Sequence, residues 1–316
     1  MIDGDSKMLR FLAGLAAIDG VIIIVLGLGL GLAVPVAGPR SAPAPAGASP
    51  VGVAHAATGA DAGPPPPLWN GAKGVDTTDL AHRVGDLYLG VRRRIGKGKR
   101  LVLAPPKRVG DDVEIRVSLA RAGTFPAGLY CFHCPAQRCL FPEPTLTALE
   151  ALAAAFDPDA VRALAAKVGK EHVQLTFVGG ASAGPVVPRS DAQVCDGAEA
   201  RISVRMPPAY DLYETETCGQ KSCELAGSGE TIDVGAGAID DNKKLACLRA
   251  MCTAAAATAL ADVPQRVVGE LAFEQGGAYR GAEVALTLRG IAAPENREAY
   301  QAFWNGLTAV LGDDGK

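Results

Sequence analysis

The stretch Val113-Glu114-Ile115-Arg116-Val117-Ser118-Leu119 alternates apolar and polar residues without a break. Side chains on a strand point to opposite faces in turn, so this pattern predicts a strand with one buried and one wet face. The same alternation recurs in Val173-Gln174-Leu175-Thr176-Phe177 and in Glu283-Val284-Ala285-Leu286-Thr287-Leu288, with a weaker copy in Arg201-Ile202-Ser203-Val204-Arg205-Met206. Between the first two lie Ala/Leu-rich stretches, Thr145 to Ala155 and Asp159 to Val168, broken at Asp157-Pro158, where proline suits a helix start. A third helix is expected from Asp241 to Leu260, opened by acidic residues and stopped by Pro264. Thr77 to Ile95 reads as an amphipathic helix ahead of the first strand, and Pro294 to Leu311 as a closing one carrying Tyr300, Phe303, Trp304 and Leu307. The order strand, helices, strand, insertion, helix, strand predicts an α/β fold of the α+β kind, a two-layer sandwich with a mixed sheet.

The chain has 316 residues, and from Phe11 to Gly38 its only charge is Asp19. At about 1.5 Å per helical residue, the part from Gly20 onward alone reaches across the hydrocarbon of a bilayer. This predicts a transmembrane helix over 11–38 behind a cytoplasmic stub, 1–10, with a cleaved signal peptide as the alternative. Lys7 and Arg10 before the span, against Arg40 after it, put the N-terminus in the cytoplasm and the bulk of the chain outside an inner membrane. Residues 39–68 are mostly Pro, Ala and Gly, ending in Pro64-Pro65-Pro66-Pro67, and read as an extended tether. A helical lead-in (69–101), a folded region (102–292) with an insertion (183–240) and a C-terminal helix (293–316) complete the domain plan.

All eight cysteines, Cys131, Cys134, Cys139, Cys195, Cys218, Cys223, Cys247 and Cys252, lie beyond the span, which predicts disulfides in an oxidising compartment and leaves their pairing open. No second Cys-x-x-Cys pair or His pair follows at ligand distance, so no metal is expected, and no cofactor. Cys131-Phe132-His133-Cys134 raises a thiol-disulfide oxidoreductase as a minor alternative, but Pro135, Pro142 and Pro144 interrupt the helix such a site needs. With His55, His82, His133 and His172 isolated and no phosphate loop or nucleophile elbow, the chain reads as a non-enzyme. A net charge of −3 argues against a nucleic-acid binder; the basic run Arg92 to Arg100 reads as a solvated helix end or a contact for an acidic polymer.

Asp241-Asn242-Lys243-Lys244-Leu245-Ala246-Cys247-Leu248-Arg249-Ala250 resembles the Asn-x-x-Leu-Ser-x-x-Arg-Ala signature of the OmpA-like peptidoglycan-binding domain, with Ala246 in the usual Ser position. Val113 to Leu119 followed by Phe125-Pro126-Ala127-Gly128-Leu129 is similar to that family's first strand and Phe-x-x-Gly entry, and Tyr279 to Val284 to the start of its last strand. The resemblance implies a peptidoglycan site in which Arg249 holds a stem-peptide carboxylate beside Asn242 and Asp241, a role suited to a planar donor fork. Two departures stand out. Val178-Gly179-Gly180-Ala181-Ser182 replaces the family's Gly-His-x-Asp, leaving Asp191, Asp233, Asp240 or Asp241 as substitute acids, and an insertion precedes the Arg249 helix.

Ile18-Asp19-Gly20-Val21-Ile22-Ile23-Ile24-Val25-Leu26 resembles the start of the single span in ExbD, TolR and MotB-type subunits. That resemblance implies a proton- or ion-carrying Asp19, a polytopic MotA, TolQ or ExbB-like partner, and a homodimer. Gly20, Gly27 and Gly31 fall on one helix stripe suited to a dimer contact. The combined expectation is the B subunit of an ion-driven stator. The alternatives are an envelope binding or structural protein that transduces nothing, with Asp19 merely at the membrane interface, and the minor oxidoreductase reading.

Overall fold

A computed structural model describes residues 75–96, 100–120, 124–126, 128–133, 135–183, 192–195, 201–204, 222–234, 241–274, 277–278, 280–291 and 297–312. The expected span with Asp19, Gly20, Gly27 and Gly31, the tether 39–68, and Cys134, Cys218, Asp191 and Asp240 lie outside these residues. Among the described residues no helix is long and apolar enough to cross a membrane.

The chain enters through helix α1 (Thr77–Ile95), capped by the Asp76 carboxylate, which accepts from the Thr78 and Asp79 amides. Strands β1 (Leu101–Leu103) and β2 (Lys107–Val109) both pair antiparallel with β3 (Asp112–Leu119). Pro105 and Pro106 separate them, lacking the N–H groups a continuous ladder would need. The alternating stretch is thus β3, with Val113, Ile115 and Val117 at most 1% exposed. Next come a short helix α2 (Pro135–Arg138), then α3 (Glu143–Ala153) and α4 (Pro158–Val168). Helix α4 starts with Pro158 at its first turn and Asp157 as cap, its carboxylate accepting from the Asp159 and Ala160 amides.

Strand β4 (Val173–Ser182) follows, then β5 (Ala192–Cys195) paired with β6 (Arg201–Val204) in a separate hairpin, and β7 (Ser222–Leu225) paired with β8 (Thr231–Asp233). Helix α5 (Asn242–Ala256) leads to β9 (Gln265–Glu274), β10 (Gly277–Ala278) and β11 (Ala282–Leu288), and α6 (Arg297–Leu311) closes the described chain. The main sheet has the order β1-β3-β11-β4-β9-β7-β8, with β4, β9 and β7 parallel neighbours and every other adjacent pair in that order antiparallel. The mixed α/β character expected from the alternation therefore holds. Part of the insertion proves to be sheet: β7 adds beside β9 rather than forming a separate lobe.

Helix α1 packs against α6 at two glycines. A methyl on Gly85 would fall 2.4 Å from Val310 Cγ1, and one on Gly306 would fall 2.9 Å from Ala81 Cβ. The pairs 81/306 and 85/310 run in the same direction, so the two helices lie parallel. Ion pairs from Lys167 to Asp79 at 3.0 Å and from Arg94 to Asp157 bind α1 to α4.

Candidate functional site

Helix α5 decides the geometry of the expected site. Every residue from Leu245 to Ala254 is buried, so the helix has no solvent face over ten residues. It crosses the parallel strands β4 and β9 where Gly179 is registered against Gly269. A methyl on Gly179 would lie 2.2 Å from Ala246 O and 2.3 Å from Ala250 N, and one on Gly269 would lie 2.9 Å from Cys247 Sγ. Two side-chain-free positions on adjacent strands therefore let the alanine face of α5 rest almost on the sheet backbone. The Val178-Gly179-Gly180 stretch has this structural use.

Arg249 sits in the middle of α5, only 1% exposed. Its Nε donates to Leu129 O at 3.0 Å, Nη1 to Gly180 O at 2.6 Å and Nη2 to Pro126 O at 3.4 Å, while the guanidinium stacks over the Phe125 ring, 5.0 Å from its centre. The fork expected to meet a ligand carboxylate is turned onto main-chain carbonyls, joining α5 to the end of β4 and to the loop after β3. Gln137 of α2, fully buried, holds the other side of that loop: its Oε1 accepts from the Tyr130 amide at 3.1 Å and the Cys131 amide at 3.0 Å. Loop carbonyls point to a cation and loop amides to an amide oxygen, so a segment without sheet or helix pairing satisfies its polar groups inside the core.

Asp241 and Asn242 are not beside this guanidinium. Asp241 is the exposed cap of α5, accepting from the Lys244 amide at 2.7 Å, and Asn242 is the first helical residue. Arg249 lies eight residues beyond Asp241, about 12 Å along the helix axis. Asp233, another candidate acid, is exposed on β8. Lys243 pairs with Glu230 at 2.7 Å, fastening the start of α5 to the β7–β8 turn. The one acid and two hydrogen-bonding groups expected to share a ligand are therefore spread along the helix.

Cys223 of β7 is joined to Cys247 of α5, with Cα atoms 5.8 Å apart, and Cys131 and Cys139 each take part in a disulfide of their own. Cys252 corrects the expectation of complete pairing: it is a buried thiol on α5. The His133 ring nitrogens lie 3.9 Å from Cys131 Sγ, but helix α2 behind them spans four residues. So short a helix has little dipole with which to favour a thiolate. Among the described residues no group of three His, Cys, Asp or Glu side chains is placed to hold a metal ion.

A cluster the alternation did not single out occupies the polar face of the sheet. Arg116 donates to Glu114 at 3.0 Å and to Glu283 at 2.9 Å, and Lys107 pairs with Glu114 at 3.5 Å. Burial pushes the Glu283 carboxyl above its usual range, Glu270 and Glu114 add to the rise, and Arg116 opposes it. Its signal in the sequence is weak, because β3 and β11 must first be known to be neighbours.

These observations define a mixed-sheet α/β domain whose expected ligand arginine is an internal tie. No family model, curated protein or solved structure matches the chain.

Proposed function

We propose that this chain is a single-pass envelope protein in which residues 11–38 anchor the inner membrane, residues 39–68 act as a tether, and a degenerate OmpA-like domain serves as a periplasmic binding or structural module. The element order supports the reading: a first strand with Phe125 behind it, the Arg249 helix lying over central strands, and a last strand beside the first. The observation that carries it is the guanidinium of Arg249, enclosed and spent on three carbonyls. Holding a stem-peptide carboxylate there would require breaking the ties that fix the loop 125–131. The domain therefore does not grip the wall through Arg249. Sedimentation of the full-length protein with purified peptidoglycan tests this; the expected pellet is no larger than that of a non-binding control. Co-sedimentation competed away by free stem peptide would overturn the proposal.

Asp19 in the apolar run favours a second reading, the ion-driven stator subunit of MotB type, dimeric and paired with a MotA, TolQ or ExbB-like membrane protein. A carboxylate in hydrocarbon is costly and is retained where it faces a partner or an ion path. Asp19→Asn separates the readings. Unchanged partner co-purification and function place Asp19 at the interface; loss of function with the partner still bound supports the ion carrier.

A further inference from the structure

Hairpin β7–β8 is the outer edge of the main sheet, and its hold on β9 is short. Glu224 and Leu225 are registered against Val268 and Gly269, whereas the β4–β9 ladder on the other side of β9 runs over eight pairs. One more main-chain bond, from the Ala226 amide to Gly269 O at 2.8 Å, follows the registered pair. Two ion pairs brace the hairpin, Arg266 with Glu224 and Lys243 with Glu230, and their four side chains are 39–48% exposed. Pairs that open to water hold little. Leu225, Ile232 and Val234 are buried, yet a hairpin built from strands of four and three residues is marginal on its own.

The Cys223–Cys247 bond joins this edge to α5 just where the pairing is thin. Cys223 directly precedes the registered Glu224 and Leu225. Gly269, the last β9 residue in that register, would place a methyl 2.9 Å from Cys247 Sγ, so its missing side chain makes room for the sulfur between helix and strand. Helix α5 is held by contacts in which the hairpin has no part: the close approach at Gly179 and the Arg249 bonds to Pro126, Leu129 and Gly180. A weakly paired edge is thus moored covalently to a helix that other elements fix.

We infer that the Cys223–Cys247 bond is a redox latch, whose reduction undocks the β7–β8 hairpin from β9 while the rest of the domain stays folded. A dithiol reductant supplies the two electrons. As the hairpin frays, its thiolate attacks Cys223 Sγ, the less buried partner at 5% exposure against 0% for Cys247. The disulfide breaks, a mixed disulfide forms on Cys223, and Cys247 leaves as a thiolate that takes up a proton. The second thiol of the reductant then attacks its own sulfur in the mixed disulfide, which frees Cys223 as a thiol and leaves the reductant oxidised. Undocking removes the partner strand from Gly269 O and turns a covered sheet edge into an open one. Hairpin, helix and bond all lie in the described domain, so the latch does not depend on residues 11–38.

Hydrogen exchange of the full-length protein, read by mass spectrometry, tests the latch. In Cys223→Ser with Cys247→Ala, amides of 222–226 should exchange about a hundredfold faster, the factor that losing a cross-link over this separation implies, while those of 173–182 in β4 stay within about two-fold. Wild-type protein taken through graded dithiothreitol and trapped with iodoacetamide gives the same reading without a substitution. Its fast-exchanging fraction at 222–226 should rise with alkylation of Cys223 and Cys247, not with that of Cys131 or Cys139. Arg266→Gln with Lys243→Gln removes both ion pairs, keeps the bond, and should change exchange at 222–226 by no more than about five-fold. Unchanged exchange at 222–226 once the bond is gone, equal acceleration in β4, or a hundredfold effect from the ion-pair variant overturns the inference.

Discussion

Gly179→Ala tests the packing that positions every other part of the domain. Its added methyl would lie 2.2 Å from Ala246 O, 2.3 Å from Ala250 N and 2.9 Å from Arg249 Cβ. Two of these are backbone atoms of α5, so no side-chain rotation relieves the overlap, and the helix must retreat by about 1 Å to restore ordinary contact distances. Retreat stretches the Arg249 to Gly180 hydrogen bond, now 2.6 Å, and pulls against the link from Cys247 to Cys223. Overpacking of this kind costs about 1–3 kcal/mol, and loosening the Arg249 ties brings the expected loss to about 3 kcal/mol. For a domain of this size that lowers Tm by about 6–12 °C. Gly90→Ala is the contrast: it lies inside α1 with nothing within 4 Å of the new methyl, and should raise stability by up to about 1 kcal/mol. Thermal unfolding followed by near-UV circular dichroism reads both. A Gly179→Ala protein melting within about 1 °C of wild type, or one less perturbed than Gly90→Ala, would refute the account of α5.

Three further outcomes follow from the same geometry. Arg249→Ala should cost at least about 3 kcal/mol in urea unfolding, because three carbonyls lose their donor, and Arg249→Lys should recover less than half, since one ammonium cannot span Pro126, Leu129 and Gly180. Removing the Cys223–Cys247 link, which closes a separation of 24 residues, by Cys223→Ser with Cys247→Ala should cost about 3 kcal/mol in the chain-entropy account, read as a shift in the urea midpoint absent under reducing conditions. Glu283 has a folded pKa raised above the ordinary 4.5, so its stabilising contribution is full below that value and is lost as pH rises through the raised one. Glu283→Gln should therefore be more stable than wild type at neutral pH, with the gain vanishing in acid; a gain that instead grows as pH falls would contradict the assignment.

The strands with one wet face were legible because alternation is a local signal: β3, β4 and β11 fall where Val113, Leu175 and Leu286 repeat at every second residue. Helix α1 and the Asp157-Pro158 start of α4 were equally readable, the first from its periodic apolar face and the second from its cap. Strand β9 was not singled out because its middle, Val267, Val268 and Gly269, is buried at consecutive positions on both faces, so alternation fades. Strands β7 and β8 are too short to carry a pattern. The fate of Arg249 was readable in part: Leu245 to Ala257 is apolar on every side, so a charge in its middle has no route to solvent. Its acceptors were not readable, because Pro126 and Leu129 lie more than a hundred residues away and offer only carbonyls. Gln137 gives no local sign of its role, since a clamp on two loop amides depends on tertiary placement alone.

The central claim, that Arg249 is an internal tie and not a ligand receptor, is tested most directly by arginine footprinting of the folded protein with phenylglyoxal and mass spectrometry. The account predicts that Arg249 stays unmodified under conditions that modify the exposed Arg93, and becomes reactive only on unfolding. Modification of Arg249 in the native protein at a rate matching Arg93 would contradict it.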